Sequence, residues 1–469
     1  MFSEIADKIT SIEQKYDVDK IQLDDGTKIW NLVRILLSYY SINTGIIQDE
    51  ERNKIKKTLF LLKESVTSRR DPTHVAYCAV SDVDAQKKYH ELYYDSYVDP
   101  LHEIFNDYYV FDWPSQKGGR HKNILKNHIK LNIPLSVLIE KIKPSTQIIN
   151  NEILLIRVIN EFASYFDIDP ENLRRYVYES IGIFVIVKKH IKRKFKKMVP
   201  SLVFIRAAFG RFQMAVVQAC RELHIKTIEL QHGLIFEDHI GYIKKTKSNN
   251  RDCLPDEIYT WGAFFSNIIK KGYLFPEKSI REAGFPFMEK MVNEQPEQDE
   301  QAKSFSKKFK STVLVAGETI GDIDTFIKKA SVLDKEIGYI FKPHPRDVKE
   351  YVFSEKNIMV SDRKINYYSL LPCVDVNMTV SSTTMFDSIC FGVPNIIVYH
   401  KDANIIGVAD IVDNEITYLV KQPNELPEMI KKIKNMPKTK IIEKSKIFFK
   451  NNSLQEIKKM VDEVIKQEM

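Results

Sequence analysis

The fold predicted for this chain is α/β: two domains, each a mostly parallel sheet with helices packed on it. Three observations carry the prediction. Short apolar or β-branched runs alternate with stretches of helical periodicity along most of the sequence. A polar, charged segment at residues 293–310 divides this alternation into two sets. Three of the runs end in a histidine or a hydroxyl cluster: Leu230-Gln231-His232-Gly233, Phe341-Lys342-Pro343-His344-Pro345 and Val380-Ser381-Ser382-Thr383-Thr384. The carboxyl ends of parallel strands are where open α/β sheets hold their ligands.

In order along the chain, residues 1 to about 70 read as helical, with Leu32, Val33, Leu36, Leu37 and Tyr40, then Ile55, Leu59 and Leu62, at helical spacing. Residues 74–80 read as a first buried strand and 108–114 as a second, stopped by Pro114. Helical patterning returns over 150–197. Residues 202–205, 211–223 and 226–230 then form a strand–helix–strand unit, and 257–262 with 263–271 a further strand and helix. Beyond the polar segment, strands are expected at 312–317, 339–341, 374–378 and 395–399. The organisation this implies is a Rossmann-like N-terminal domain with a helical start over 1–292, a linker over 293–311, and a Rossmann-like C-terminal domain over 312–450. A C-terminal helix over 451–469 is expected to pack back on the N-terminal domain, and the two domains are expected to face a central cleft. No internal repeat is visible.

Composition excludes several classes. At 469 residues with 43% hydrophobic content, the chain is globular and too long for one ordinary core. The five cysteines, Cys78, Cys220, Cys253, Cys373 and Cys390, are scattered and odd in number, which argues against a disulfide framework or a thiolate zinc site and for a reducing cytosol. The first eight residues hold no basic segment leading into an apolar core, so no signal peptide is expected. The most apolar run, residues 181–187, falls far short of the roughly 20 residues that span a bilayer. The net charge of +7 is unevenly spread: residues 188–197 read KKHIKRKFKK, and residues 431–450 are rich in lysine. The first of these segments suits an anionic lipid surface or nucleic acid, and the ordinary alternative for both is a solvated helix face. Neither carries the interleaved aromatics of a nucleic-acid site.

The strand ends carry the chemistry. Ser381, Ser382, Thr383 and Thr384 precede a helix-patterned segment, residues 385–391, stopped by Gly392. Unpaired N–H groups at a helix start, joined by hydroxyls, suit a phosphate; plain capping needs fewer hydroxyls than this. His344 lies between two prolines that fix the direction of its ring, and with Lys342 and Arg346 beside it can meet the charge on a leaving phosphate. The ordinary alternative is an exposed histidine in a turn. His232 stands beside Gly233, where a ligand can approach the backbone closely, and suits a general base acting on an acceptor hydroxyl. Glu237, Asp238 and His239 follow, as candidates to orient that ring or to replace it. The ordinary alternative for His232 is a buried, satisfied histidine. These residues lack regular ligand spacing, so no metal is expected. Gln231, Gly233, Asp238 and Arg206 are assigned to the acceptor side or the cleft.

Taken together, Leu230-Gln231-His232-Gly233, His239-Ile240-Gly241-Tyr242, Trp261-Gly262, Ala283-Gly284-Phe285-Pro286, Lys342-Pro343-His344-Pro345, Val380-Ser381-Ser382 and Phe391-Gly392-Val393-Pro394 resemble bacterial glycosyltransferases of capsule and surface-polysaccharide synthesis. The resemblance runs over about residues 200 to 400, and Trp30-Asn31-Leu32-Val33-Arg34 resembles the start of such proteins. The His-Pro and Ser-Ser elements are similar to those of bacterial polysialyltransferases, Kdo transferases and teichoic-acid polyol-phosphate polymerases, which share the GT-B architecture. The resemblance implies a nucleotide donor in the C-terminal domain and an acceptor in the N-terminal domain. It makes His344 the partner of the donor phosphate, Ser381 and Ser382 its cradle, and places His232 at the position of the base proposed for the polymerases. Two departures are visible: polysialyltransferases carry an acidic pair where this chain has Gln231-His232, and the polymerases carry Thr-Pro where it has Leu234-Ile235.

The function expected is therefore transfer of a sugar from a nucleotide-activated donor to a growing bacterial surface glycan, of capsule or lipopolysaccharide type, inverting and metal-independent. The expected acceptor is an oligosaccharide or lipid-linked glycan, with no cofactor, no nucleic acid, and a cytoplasmic location in peripheral contact with the inner face of the plasma membrane. A CDP-polyol phosphotransferase of teichoic-acid type, a sugar-nucleotide 2-epimerase, and a non-catalytic membrane- or RNA-associated scaffold stay open as alternatives.

Overall fold

The structure, a computed structural model, describes residues 2–42, 72–113, 121, 123–131, 136–137, 149–318, 322–344, 349–400 and 411–466. Ile55, Leu59, Leu62, Pro345 and Arg346 lie outside the described residues. The chain divides into two compact units, one formed by Ser3–Trp261, Phe265–Pro286 and Asn452–Met469, the other by Gly262–Phe264 and Phe287–Asn451 with Met1–Phe2.

The first unit is built on a seven-stranded sheet in the order Ile280–Glu282, Glu257–Thr260, Lys226–Leu230, Leu202–Arg206, Tyr77–Asp82, Tyr108–Trp113, His128–Lys130. Every pairing in it is parallel. Leu202, Val203, Phe204 and Ile205 are all buried, the continuous apolar run expected of a strand covered on both faces. Helix Pro170–Met198 starts where Asp169 accepts from the Glu171 N–H at 2.9 Å and Pro170 takes the first position. Its run Ile181, Gly182, Ile183, Phe184 is buried all round, because helices Trp30–Ile42, Glu152–Tyr165 and Arg211–Glu222 pack against it. The most apolar run of the sequence is thus a core helix segment, and no described helix is long and apolar enough to cross a membrane. Helix Ser453–Lys466 places Ile457, Met460, Val461 and Val464 on one stripe, packed with Ala79, Leu101 and Phe105 of this unit.

The second unit holds a six-stranded parallel sheet in the order Ile358–Val360, Ile337–Lys342, Ser311–Ala316, Val376–Thr379, Asn395–Val398, Thr417–Val420. Two α/β units with parallel sheets match the predicted fold class. The segment 293–311 does not behave as a linker. It contains helix Glu300–Ser306, capped by Asp299, which accepts from the Ala302 N–H at 2.8 Å, and Ala302 and Phe305 pack on Leu314, Ile340 and Leu371. Two apolar residues three positions apart suffice to seat so short a helix and are too few to register as a periodic pattern.

Candidate functional site

In the first sheet the chain order reverses between Tyr77–Asp82 and Leu202–Arg206, whose register runs from Tyr77↔Leu202 to Val80↔Ile205. Ligands of open α/β sheets bind at such a reversal, beyond the carboxyl ends of the strands. Asp82 and Arg206 close the two strands and form an ion pair. The Arg206 guanidinium also lies over the ring of Tyr97, 5.8 Å from its centre. Asp95, fully buried, accepts from the Tyr97 N–H at 2.9 Å and from the Ser81 hydroxyl. Desolvation pulls the pKa of Arg206 down, but Asp95 and Asp82 outweigh it and hold the value above the ordinary one. Arg206 is therefore a fixed cation at the switch point.

One strand further out, Lys226–Leu230 delivers Gln231 and His232. Gln231 is a clamp between strand ends: its Oε1 accepts from the Trp261 N–H at 2.8 Å, its carbonyl from Trp261 Nε1 at 2.9 Å, and its Nε2 donates to the Gly233 carbonyl at 2.9 Å. Its polar atoms are spent on the fold, which corrects its assignment to the acceptor side. His232 is half-buried between Tyr97 and Phe209, with ring centres 6.3 and 5.5 Å away. Its Nδ1 lies 3.3 Å from the hydroxyl of Tyr242, which donates to Glu229 Oε1 at 2.7 Å. Burial, then the nearby Arg206 and His239, lowers the pKa of His232 from 6.5 to about 3, so the ring is neutral at physiological pH. Burial raises that of Glu229 to about 8, against the hydrogen bonds from Tyr242 and the Ala208 N–H. A Cβ at Gly233 would meet nothing within 4 Å, so the space beside His232 is open on that side.

His239 contacts Phe209, Phe236 and Tyr242, and its Nδ1 accepts from the Gly241 N–H at 3.1 Å. Burial lowers its pKa to about 4. Glu237 and Asp238 turn to other partners: Glu237 is exposed and pairs with Lys271, and Asp238 pairs with Lys245 at 2.9 Å. The expectation that Glu237 assists His232 is corrected by these pairings. The carboxylate that reaches His232 is Glu229, through Tyr242. The turn carrying these residues is fastened from helix Trp30–Ile42, where Arg34, buried beside Glu13 at 3.1 Å, donates to the carbonyls of Ile240 and Ile243 at 2.6 and 2.9 Å. Asn31 adds a bond to the Asp252 carbonyl at 3.0 Å.

In the second unit the order reverses between Ser311–Ala316 and Val376–Thr379. Gly317 follows the first of these strands, and its N–H donates to the Lys342 carbonyl at 2.8 Å. A Cβ there would lie 2.9 Å from that carbonyl oxygen and 3.2 Å from the His344 nitrogen, so glycine lets the two strand ends close up. Glu318 then reaches the hydroxyl cluster. Its carboxylate accepts from the N–H groups of Val380 at 2.7 Å and Ser381 at 2.9 Å, and from the hydroxyls of Ser381 at 2.6 Å and Thr379. The N–H and hydroxyl of Ser381 are thus taken in this structure by a carboxylate of the chain itself. Ser382 and Thr383 are half-buried, and helix Thr384–Cys390 begins directly after them. Lys342 is corrected as a phosphate ligand. It is buried, and its Nζ donates to the carbonyls of Asp362 and Arg363 at 3.0 and 2.9 Å, so it braces a turn. His344 is half-buried at the end of the same strand.

Three participants escaped the sequence reading. None gave a local signal of its role: Glu229 sits in Lys226-Thr227-Ile228-Glu229-Leu230, where polar and apolar residues mix, Tyr242 stands in the His239-Ile240-Gly241-Tyr242 motif with no role attached, and long-range geometry alone brings Glu318 to its donors.

No protein-family model matches the chain, and no curated protein matches it in sequence. In fold it is similar to the glycotransferase of kitacinnamycin, with a TM-score of 0.51 and 8% identity over 84% of this chain and 99% of that one. A UDP-N-acetylglucosamine 2-epimerase is matched at a TM-score of 0.48 and 9% identity over 84% and 96% of the two chains. The wall teichoic acid polymerase TagF is matched at 0.47 and 12% over 90% and 97%. At such identities likeness speaks for fold alone, and the first of the three carries it: the chain has the pair of Rossmann-like units of the GT-B fold class.

Proposed function

We propose that this chain is a nucleotide-sugar-dependent glycosyltransferase that extends a bacterial surface glycan. The observation that carries the reading is His232, a neutral imidazole beside the fixed cation Arg206 at the switch point of the first sheet. A neutral ring can take a proton, and the cation can hold an anionic or hydroxyl-rich acceptor against it. The acceptor hydroxyl gives its proton to His232, its oxygen bonds to the anomeric carbon, and the bond from that carbon to the nucleotide phosphate breaks, with inversion. On the donor side, His344, Ser382 and Thr383 meet the charge on the departing phosphate, using N–H and hydroxyl donors rather than a metal. The sequence resemblance to surface-polysaccharide enzymes supports an oligosaccharide or lipid-linked acceptor.

A basic stripe supports work at a membrane face. Lys188 and Lys192 are tied into ion pairs with Asp25 and Glu222. Lys189, Arg193, Lys196 and Lys197 are exposed at i, i+4, i+7 and i+8 of helix Pro170–Met198 and present one cationic face. Each such charge near an anionic bilayer contributes about 1 kcal/mol.

The test is a thermal-shift series with UDP, GDP, CMP, CDP and TDP, followed by product analysis with the sugar donor of the base that stabilises the fold. Stabilisation by one nucleotide and a new glycosidic bond support the reading. Phosphate retained in the product points to a polyol-phosphate transferase, and an epimerised donor without transfer to an epimerase. Either contradicts it.

A further inference from the structure

We infer that Glu229 and Tyr242 form a proton-ordering relay that fixes the tautomer of His232, which makes both positioning residues of the reaction proposed above, on whose assignment of His232 the inference rests. Tyr242 has one hydroxyl proton, and it is committed to Glu229 Oε1 at 2.7 Å. The same oxygen receives the Ala208 N–H at 3.1 Å, so Oε1 is an acceptor whether the carboxyl is ionised or carries its proton on the other oxygen. The Tyr242 oxygen then has only lone pairs to offer His232. At 3.3 Å, His232 Nδ1 carries the hydrogen of that contact, and Nε2 is left with its lone pair for a substrate proton.

The relay is built to persist. Glu229 and Tyr242 are each 1% exposed, so water does not compete for their bonds. A Cβ at Gly241 would lie 2.8 Å from the Phe209 ring and 3.0 Å from His239, so a side chain there would displace the rings packed around Tyr242. Arg34 holds the next carbonyl, that of Ile243, at 2.9 Å. During transfer the acceptor proton moves to Nε2, and the positive charge that develops on the ring is met by the Tyr242 oxygen and, through it, by Glu229. The proton leaves for solvent when the product departs, so atoms and charge balance without a further reagent.

The experiment is nitrogen NMR of the full-length chain with labelled histidines, His232 being assigned by its loss in H232A, joined to kinetics of the near-isosteric variants Y242F and E229Q. The wild type is expected to show the Nδ1–H tautomer at His232, and Y242F a loss of that preference. With a donor in hand, both variants are expected to lower kcat roughly 10- to 100-fold at unchanged donor KM. An Nε2–H tautomer in the wild type overturns the relay without any variant or substrate, as does a Y242F protein that keeps the Nδ1–H preference. A relay seen by NMR in a protein that transfers no sugar leaves the inference standing and overturns the functional reading instead.

Discussion

Glu318 and Ser381 are joined through both carboxylate oxygens, each 2.9 Å from the Ser381 N–H, with the hydroxyl adding a third bond at 2.6 Å. A phosphate held at Ser381 needs the same donors, so the two anions compete. Replacing the carboxylate by a neutral amide in E318Q is expected to tighten nucleoside diphosphate binding, by about fivefold for roughly 1 kcal/mol of lost competition. Isothermal titration of the two proteins decides it. Unchanged or weaker binding in E318Q would show that Glu318 pins the strand ends together and that the phosphate sits elsewhere.

His344 follows strand Ile337–Lys342, and its backbone packs against Gly317, one residue before Glu318. H344A is expected to weaken nucleotide binding about tenfold, the size of one charge-assisted hydrogen bond, while leaving the melting temperature without ligand near that of the wild type. Equal affinity in the variant would remove His344 from the donor site.

Acid should destabilise the first unit through His232 and His239. Their pKa values in the folded chain, about 3 and about 4, lie below the ordinary 6.5. Between those values and 6.5 the unfolded chain binds protons that the native state refuses. The contribution of these two rings is therefore full above pH 6.5 and falls as the pH drops through that window, by up to about 1.4 kcal/mol per pH unit for each, against the opposite contribution of Glu229, whose folded value of about 8 lies above the ordinary 4.5. Urea titrations at several pH values check this, and H239Q should flatten the slope.

A second buried cluster lies between strands. His128 Nε2 is 2.8 Å from Asp99 and its Nδ1 3.0 Å from Asp112, all three within the protein. Burial acts to lower the pKa of His128, but the bonds to Asp112 and Asp99 prevail and raise it to about 10, so the ring is a cation between two carboxylates. Removing it in H128A leaves the two buried acids with their bonds from the Asp95 N–H and Gln86 but no counter-charge, at a cost of about 3–5 kcal/mol. A melting temperature within a degree or two of the wild type would contradict the clamp.

The sequence made the central strands legible and the edges obscure. Residues 202–205 and 395–399 are apolar runs that only a covered strand needs, and they appear within Leu202–Arg206 and Asn395–Val398. The strands His128–Lys130 and Ile358–Val360 are three residues long and stand at the sheet edges, so no run marks them, whereas Thr417–Val420, with Ile416 before it, is a β-branched and apolar run that the reading passed over. At the site, His232 and Ser381 were legible because strand ends are fixed by local pattern. Glu229 and Glu318 were not, since what matters there is which long-range donor each carboxylate meets. The mistaken readings share that cause: Glu237 and Lys342 have the right chemistry, but Lys271 and two backbone carbonyls claim them.

The most direct test of the account compares wild type and H232A for both nucleotide affinity and sugar transfer from the matching donor. The account predicts unchanged affinity, because His232 belongs to the first unit and the phosphate donors to the second, together with a loss of turnover of about a thousandfold, as for removal of a general base. Turnover preserved in H232A would contradict it.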